Sequence, residues 1–141
     1  MDLDPDELEL WDDLVLVVQR SLAAYPADAA RLAVNNTDFT MSVHPLQDGA
    51  ASIQIDYCGT YEIYLEVGQT DAWIWQVDDT PLPEWLHRIV SGVMAGDFEE
   101  VGSFNASGRV RSVEGDISFG AVLLTPLPWR WRRRRKYLPY A

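Results

Sequence analysis

The chain has 141 residues, with 11 Lys and Arg, 22 Asp and Glu and 2 His, giving a formal net charge of −11 at pH 7. That length lets a single domain bury a core without metals or disulfides, and the lone Cys58 has no internal partner, which fits a reducing compartment. No apolar run nears the ~20 residues that span a bilayer, and Met1 leads into Asp2, Asp4 and Asp6 rather than a basic flank, so the expectation is one cytoplasmic domain over residues 1–141.

The net charge hides an asymmetry. All 22 acids precede Leu124, whereas six of the 11 bases fall within Arg130–Lys136. The body alone carries five Arg and a formal charge of −17, which repels nucleic acid and speeds encounter with basic proteins, although acidity also serves plain solubility. Arg outnumbers Lys ten to one, a composition typical of GC-rich bacterial genomes.

Asp4-Pro5-Asp6-Glu7 predicts a helix start. Asp4 is placed to cap, Pro5 suits the first helical position, and Glu7 stands where a capping box needs a carboxylate. Leu8, Trp11, Val15, Val18 and Leu22 follow at helical spacing, with Leu14 widening the stripe. Acids at the start of this helix favour its positive end. They do not form a calcium loop, because Pro5 disturbs the pattern and Glu7 occupies the position that needs Gly. Pro26 ends or kinks the helix, and Asp28–Val34 is expected to add a short helical piece before Asn35-Asn36 turns the chain.

Phe39, Met41 and Val43 alternate with Thr40, Ser42 and His44, predicting a strand closed by Pro45. From Ala51 to Asp78 the period of two continues through three more strands, broken at Gly59-Thr60 and at Gly68-Gln69-Thr70-Asp71. Ile53, Ile55, Tyr57, Ile63, Leu65 and Val67 take one face of this meander. Asp56, Glu62, Tyr64 and Glu66 take the other. In the last strand Trp73, Trp75 and Val77 oppose Ile74, Gln76 and Asp78, so both of its faces are partly apolar.

Thr80-Pro81 opens a second helix, with Leu82, Trp85, Leu86, Ile89, Val90, Val93 and Met94 on one side and Gly96 at its end. Phe98–Phe104, Arg109–Glu114 and Asp116–Leu124 then read as strands. The predicted class is α+β, with two helices packed on one face of an antiparallel sheet and an order of one helix, four strands, one helix and two or three strands.

Catalytic signals are sparse. His44 and His87 have no second His or Cys at metal-ligand spacing, Cys58 has no neighbouring base in sequence, and no Gly-rich phosphate loop occurs. Asp56, Glu62 and Glu66 project from one predicted face, and two of them, with Asp56 and Glu62 as the candidates for a small hydrolase, could share a proton as acid and base, but solvated cross-strand acids also keep an open sheet soluble. No catalytic residue, metal or cofactor follows from the sequence, and the protein is expected not to be an enzyme. Its candidate binding site is an acidic platform of Asp56, Glu62, Tyr64, Glu66, Gln76 and Asp78, suited to a basic partner.

The segment 126–141, PLPWRWRRRRKYLPYA, interleaves Trp129 and Trp131 with Arg130 and Arg132 and continues through Arg133, Arg134, Arg135 and Lys136. Three uses compete: docking back onto the acidic body as a clamp or edge strand, contact with an anionic membrane, and contact with nucleic acid through phosphates and base stacking.

The helix run LPEWLHRIVSGVMAGDFEEV leading into a hairpin, together with the RRRKYLPY ending, resembles small acidic proteins of GC-rich bacteria, some of which look like immunity partners of polymorphic toxins. The likeness spans roughly the last two thirds of the chain and includes no diagnostic motif. It implies an inhibitor that binds a toxin and does no chemistry itself.

Overall fold

A computed structural model describes residues 1–75, 80–102, 107–113, 115–120 and 134–141. Among these residues it has two helices and two antiparallel sheets, an α+β fold.

Helix α1, Pro5–Leu22, starts as its sequence dictates. The Asp4 carboxylate accepts the Glu7 N–H at 2.9 Å, and the Glu7 carboxylate accepts the Asp4 N–H at 3.2 Å. The buried face consists of Leu10, Trp11, Leu14, Val18 and Ser21, whereas Leu8 is 43% exposed. The helix is therefore rolled away from the expected stripe. It must face a sheet and a second helix at once, and Ser21 approaches His87 of that helix with Oγ 3.5 Å from Nδ1.

Strand β1, Ala30–Asn35, replaces the short helix expected over Asp28–Val34. Ala30, Leu32 and Val34 are partly buried while Arg31, Ala33 and Asn35 are exposed, so a period of two wins over a weak helical pattern. Asn35 then reverses the chain: its Oδ1 accepts the N–H groups of Thr37 at 2.9 Å and Asp38 at 3.0 Å. Phe39, expected to begin a strand, instead sits in the turn with φ of 55°.

Strands β2, Thr40–Pro45, β3, Ile53–Gly59, β4, Glu62–Val67, and β5, Thr70–Trp75, complete a five-stranded meander in the order β1-β2-β3-β4-β5. This is one strand more than the sequence suggested. Inward rows such as Val34, Met41, Ile55, Leu65 and Ala72 line up across it. The β3–β4 turn is tight, with Gly59, Thr60 and Tyr61 all at positive φ. The Glu7 carboxylate secures it, accepting the Thr60 N–H at 2.8 Å and the Tyr57 hydroxyl at 3.1 Å.

Helix α2, Leu82–Met94, buries Leu82, Leu86, Ile89, Val90, Gly92, Val93 and Met94. It packs against α1, and the inner faces of both helices and both sheets share one apolar cluster. Gly92 is where α2 meets the second sheet, because a Cβ there would overlap the Val110 side chain.

The expected single sheet is in fact two. Strands β6, Phe98–Val101, β7, Ser107–Val110, β8, Ile117–Gly120, and β9, Arg134–Lys136, form a separate sheet in the order β8-β7-β6-β9. Among the described residues β8 runs beside β5 with no ladder between them.

The basic segment supplies β9, which pairs antiparallel with β6 and sets Arg135 opposite Glu100. Beyond it, Tyr137 stacks on Phe98 with ring centroids 5.4 Å apart. Leu138 donates its N–H to the Gly49 carbonyl at 2.9 Å, and the buried Tyr140 donates its hydroxyl to the Ala51 carbonyl at 2.7 Å. Residues 134–141 therefore dock on the domain. Trp129, Arg130, Trp131, Arg132 and Arg133 lie outside the described residues.

Candidate functional site

The outer face of the five-stranded sheet is the side turned away from the core. Alternation within β3 and β4 sends Ile53, Ile55, Tyr57, Ile63, Leu65 and Val67 inward to full burial. The same alternation sends Asp56, Glu62, Tyr64 and Glu66 outward; Glu66 is exposed and the other three are half-buried. The structure brings these four predicted residues together on one surface. Gln76 and Asp78, also expected there, lie outside the described residues.

Register adds residues to the platform that alternation alone does not place there. The tight turn after β4 pairs Val67 with Thr70, which sets Glu66 opposite Asp71, Tyr64 opposite Trp73 and Glu62 opposite Trp75. Partners directly across an antiparallel ladder point to the same face. Asp71, Trp73 and Trp75 therefore join the acidic platform. Counting back from the Gly68-Gln69 turn as a two-residue hairpin would have found them.

The result is a carboxylate field with an aromatic strip along its edge. Trp73 is 57% exposed and Trp75 56%, unusual for side chains with so much apolar surface. The Tyr64 and Trp73 rings meet with centroids 4.8 Å apart and planes tilted by 50°. The Tyr64 hydroxyl donates to Asp71 Oδ2 at 2.5 Å. That hydrogen bond, followed by burial and by the charges of Asp71 and Glu66, raises the Tyr64 pKa well above the usual phenol range. Gln54 donates its side-chain N–H to Asp56 Oδ1 at 2.7 Å, tying down one acid of the platform.

Asp56 and Glu62, the candidate acid and base, stand diagonally on neighbouring strands, since Asp56 opposes Tyr64 and Glu62 lies two residues before it. A groove of about 420 Å³ lies nearby, lined by Asp71, Ala72, Trp73, Ile74, Trp85, Ser118, Phe119 and Gly120. It runs between β5 and β8, and neither Asp56 nor Glu62 lines it. Among the described residues no cluster of three or more His, Cys, Asp or Glu is arranged to hold a metal ion, and no helix is long and apolar enough to cross a membrane.

The second sheet handles its own charges differently. Glu99 is buried and pairs with Arg109, with Arg111 Nη2 at 3.4 Å. Burial pushes its carboxyl up, but the Arg109 hydrogen bond and the charges of Arg109, Arg111 and Arg134 outweigh this and hold it below the usual range. Glu100, also buried, accepts from the Tyr137 hydroxyl, from Thr70 Oγ1 at 3.0 Å and from the Gln69 N–H at 3.1 Å. Arg134, Arg135 and Lys136 themselves are exposed.

Set beside known proteins, the chain matches no family model, no curated protein and no solved structure at a significant level.

Proposed function

We propose that this chain is a non-catalytic binding module that grips a basic protein partner through the outer face of its five-stranded sheet, as an inhibitor of the immunity type would. One observation carries the reading: Asp56, Glu62, Glu66 and Asp71 share a face with Trp73 and Trp75, two indoles more than half exposed. Trp and Tyr are enriched at protein-binding hot spots, and the carboxylates would steer a positive partner toward them. A basic toxin domain is the partner this arrangement suits.

The test is charge reversal by Glu62→Lys with Glu66→Lys. The first of these side chains is half-buried and the second exposed, so the fold is expected to survive, as judged by circular dichroism. Capture of basic toxin domains should be lost. Capture retained at physiological salt overturns the proposal.

A second reading rests on the exposed bases Arg134, Arg135 and Lys136 of β9, which suit an anionic membrane or nucleic acid. Removing the whole segment is a poor test, because Tyr137 and Tyr140 pack into the core cluster. Arg134→Gln with Lys136→Gln is cleaner, since it removes charge without setting a new acid opposite Glu99 or Glu100. Loss of liposome or RNA cosedimentation in that variant favours this reading, and no cosedimentation of the unaltered protein removes it.

A further inference from the structure

We infer that the outer face selects arginine over lysine, taking an extended partner segment with Arg at alternate positions along the Trp73–Trp75 strip. The inference rests on the acidic-face reading and names the chemistry that the face recognises.

Spacing is the first argument. Trp73 and Trp75 are two residues apart on one side of β5, which places them about 7 Å apart along the strand. An extended peptide repeats its side chains on one face at the same interval. Two side chains of an Arg-x-Arg segment lying along β5 would therefore meet one indole each.

The neighbours of each indole are the second argument. Glu62 stands directly across the ladder from Trp75. Asp71 lies two residues before Trp73 on the same face, opposite Glu66. Asp71 Oδ2 already accepts the Tyr64 hydroxyl, and that bond together with the ring contact fixes Tyr64 against Trp73. Each exposed ring thus has an acidic residue at a neighbouring position on the same face: Glu62 across the ladder from Trp75, and Asp71 two residues before Trp73. A guanidinium can lay its plane on the ring while its edge N–H groups reach sideways to the acid. An ammonium cannot do both as well: it is compact and strongly hydrated, and it gains nothing from a flat surface beyond charge.

The experiment compares two fluorescent octapeptides, one alternating Arg with Thr and the other Lys with Thr, titrated against the whole protein at physiological salt and followed by anisotropy. The Arg peptide is expected to bind roughly tenfold more tightly, a difference of about 1.4 kcal/mol. Trp73→Ala with Trp75→Ala should erase that preference and leave weak, salt-sensitive binding equal for both peptides. Equal affinity of the unaltered protein for the two peptides overturns the arginine inference but leaves the acidic-face reading intact. Absence of binding to either peptide at low salt overturns both. The sequence itself carries Arg130, Arg132 and Arg134 at alternate positions. Sedimentation that shows self-association abolished by the double Trp variant would assign the face to a second copy and overturn the proposal of a separate partner.

Discussion

The carboxylate of Glu7 accepts the backbone N–H of Thr60 at 2.8 Å, joining the first turn of α1 to the β3–β4 turn 53 residues away. The same side chain completes the capping box with Asp4 and accepts the Tyr57 hydroxyl at 3.1 Å. One residue therefore sets where the helix begins and fixes a turn with three successive residues at positive φ.

The Glu7 contacts predict a pH dependence. Hydrogen bonds from the Thr60 and Asp4 N–H groups hold its carboxyl below the ordinary value of 4.5, burial opposes them weakly, and Tyr57 adds to the lowering. A folded-state pKa below the unfolded one contributes stability that is present above pH 4.5 and fades as the pH falls through the folded value. Glu7→Gln should lower the melting temperature at neutral pH. The difference between the two proteins should shrink as the pH falls below 4.5 and the Glu7 carboxyl takes up its proton, as thermal melts across the acid range would record.

Gly92 predicts a packing conflict. A methyl group there would overlap Val110 of β7, and α2 is wedged between α1 and the second sheet. Gly92→Ala should destabilise the protein by about 1–3 kcal/mol despite the better helix propensity of Ala. Adding Val110→Ala should recover part of that loss, giving a non-zero coupling in a double-mutant cycle measured by urea unfolding.

Tyr140 predicts the worth of the docked segment. Tyr140→Phe keeps the ring but leaves the Ala51 carbonyl without the hydroxyl that donates to it at 2.7 Å. A loss of about 1–2 kcal/mol is expected for one buried hydrogen bond. Tyr140→Ala, which also empties its place in the core, should cost about 3–5 kcal/mol in the same denaturant titration.

The acidic platform predicts a kinetic signature. If Glu62 and Glu66 steer a basic partner, their reversal to Lys should slow association roughly tenfold or more at low salt, with a smaller difference as salt rises. Surface plasmon resonance at several ionic strengths reads this directly.

Much of the fold can be read in the residues because local patterns and tertiary demands agree there. The Asp4–Glu7 cap, the alternation through Ile53–Val67 and the apolar side of α2 are local signals that packing reinforces. Asp28–Val34 misled because Ala, Arg and Leu favour helices as single residues, and only pairing with β2 shows β1 to be a strand. The division of the described strands into two sheets was also invisible, since it depends on which strands pair across the fold rather than on any local pattern. Within the site, Asp56, Glu62, Tyr64 and Glu66 followed from alternation. Trp73 and Trp75 needed the hairpin register as well, because both faces of β5 carry apolar residues and composition could not choose between them.

The bond from Tyr140 to Ala51 spans 89 positions, and β9 closes against a strand more than thirty residues earlier. A nascent chain that has emerged only as far as β8 would have its helices and its meander but an open slot where Tyr137 and Tyr140 belong. Such distant closures are slow to form, since chain entropy must be surrendered before the contact rewards it. Sealing of the core therefore waits for Tyr140, and a chain in which it has not docked exposes the apolar surface that Tyr137 and Tyr140 cover.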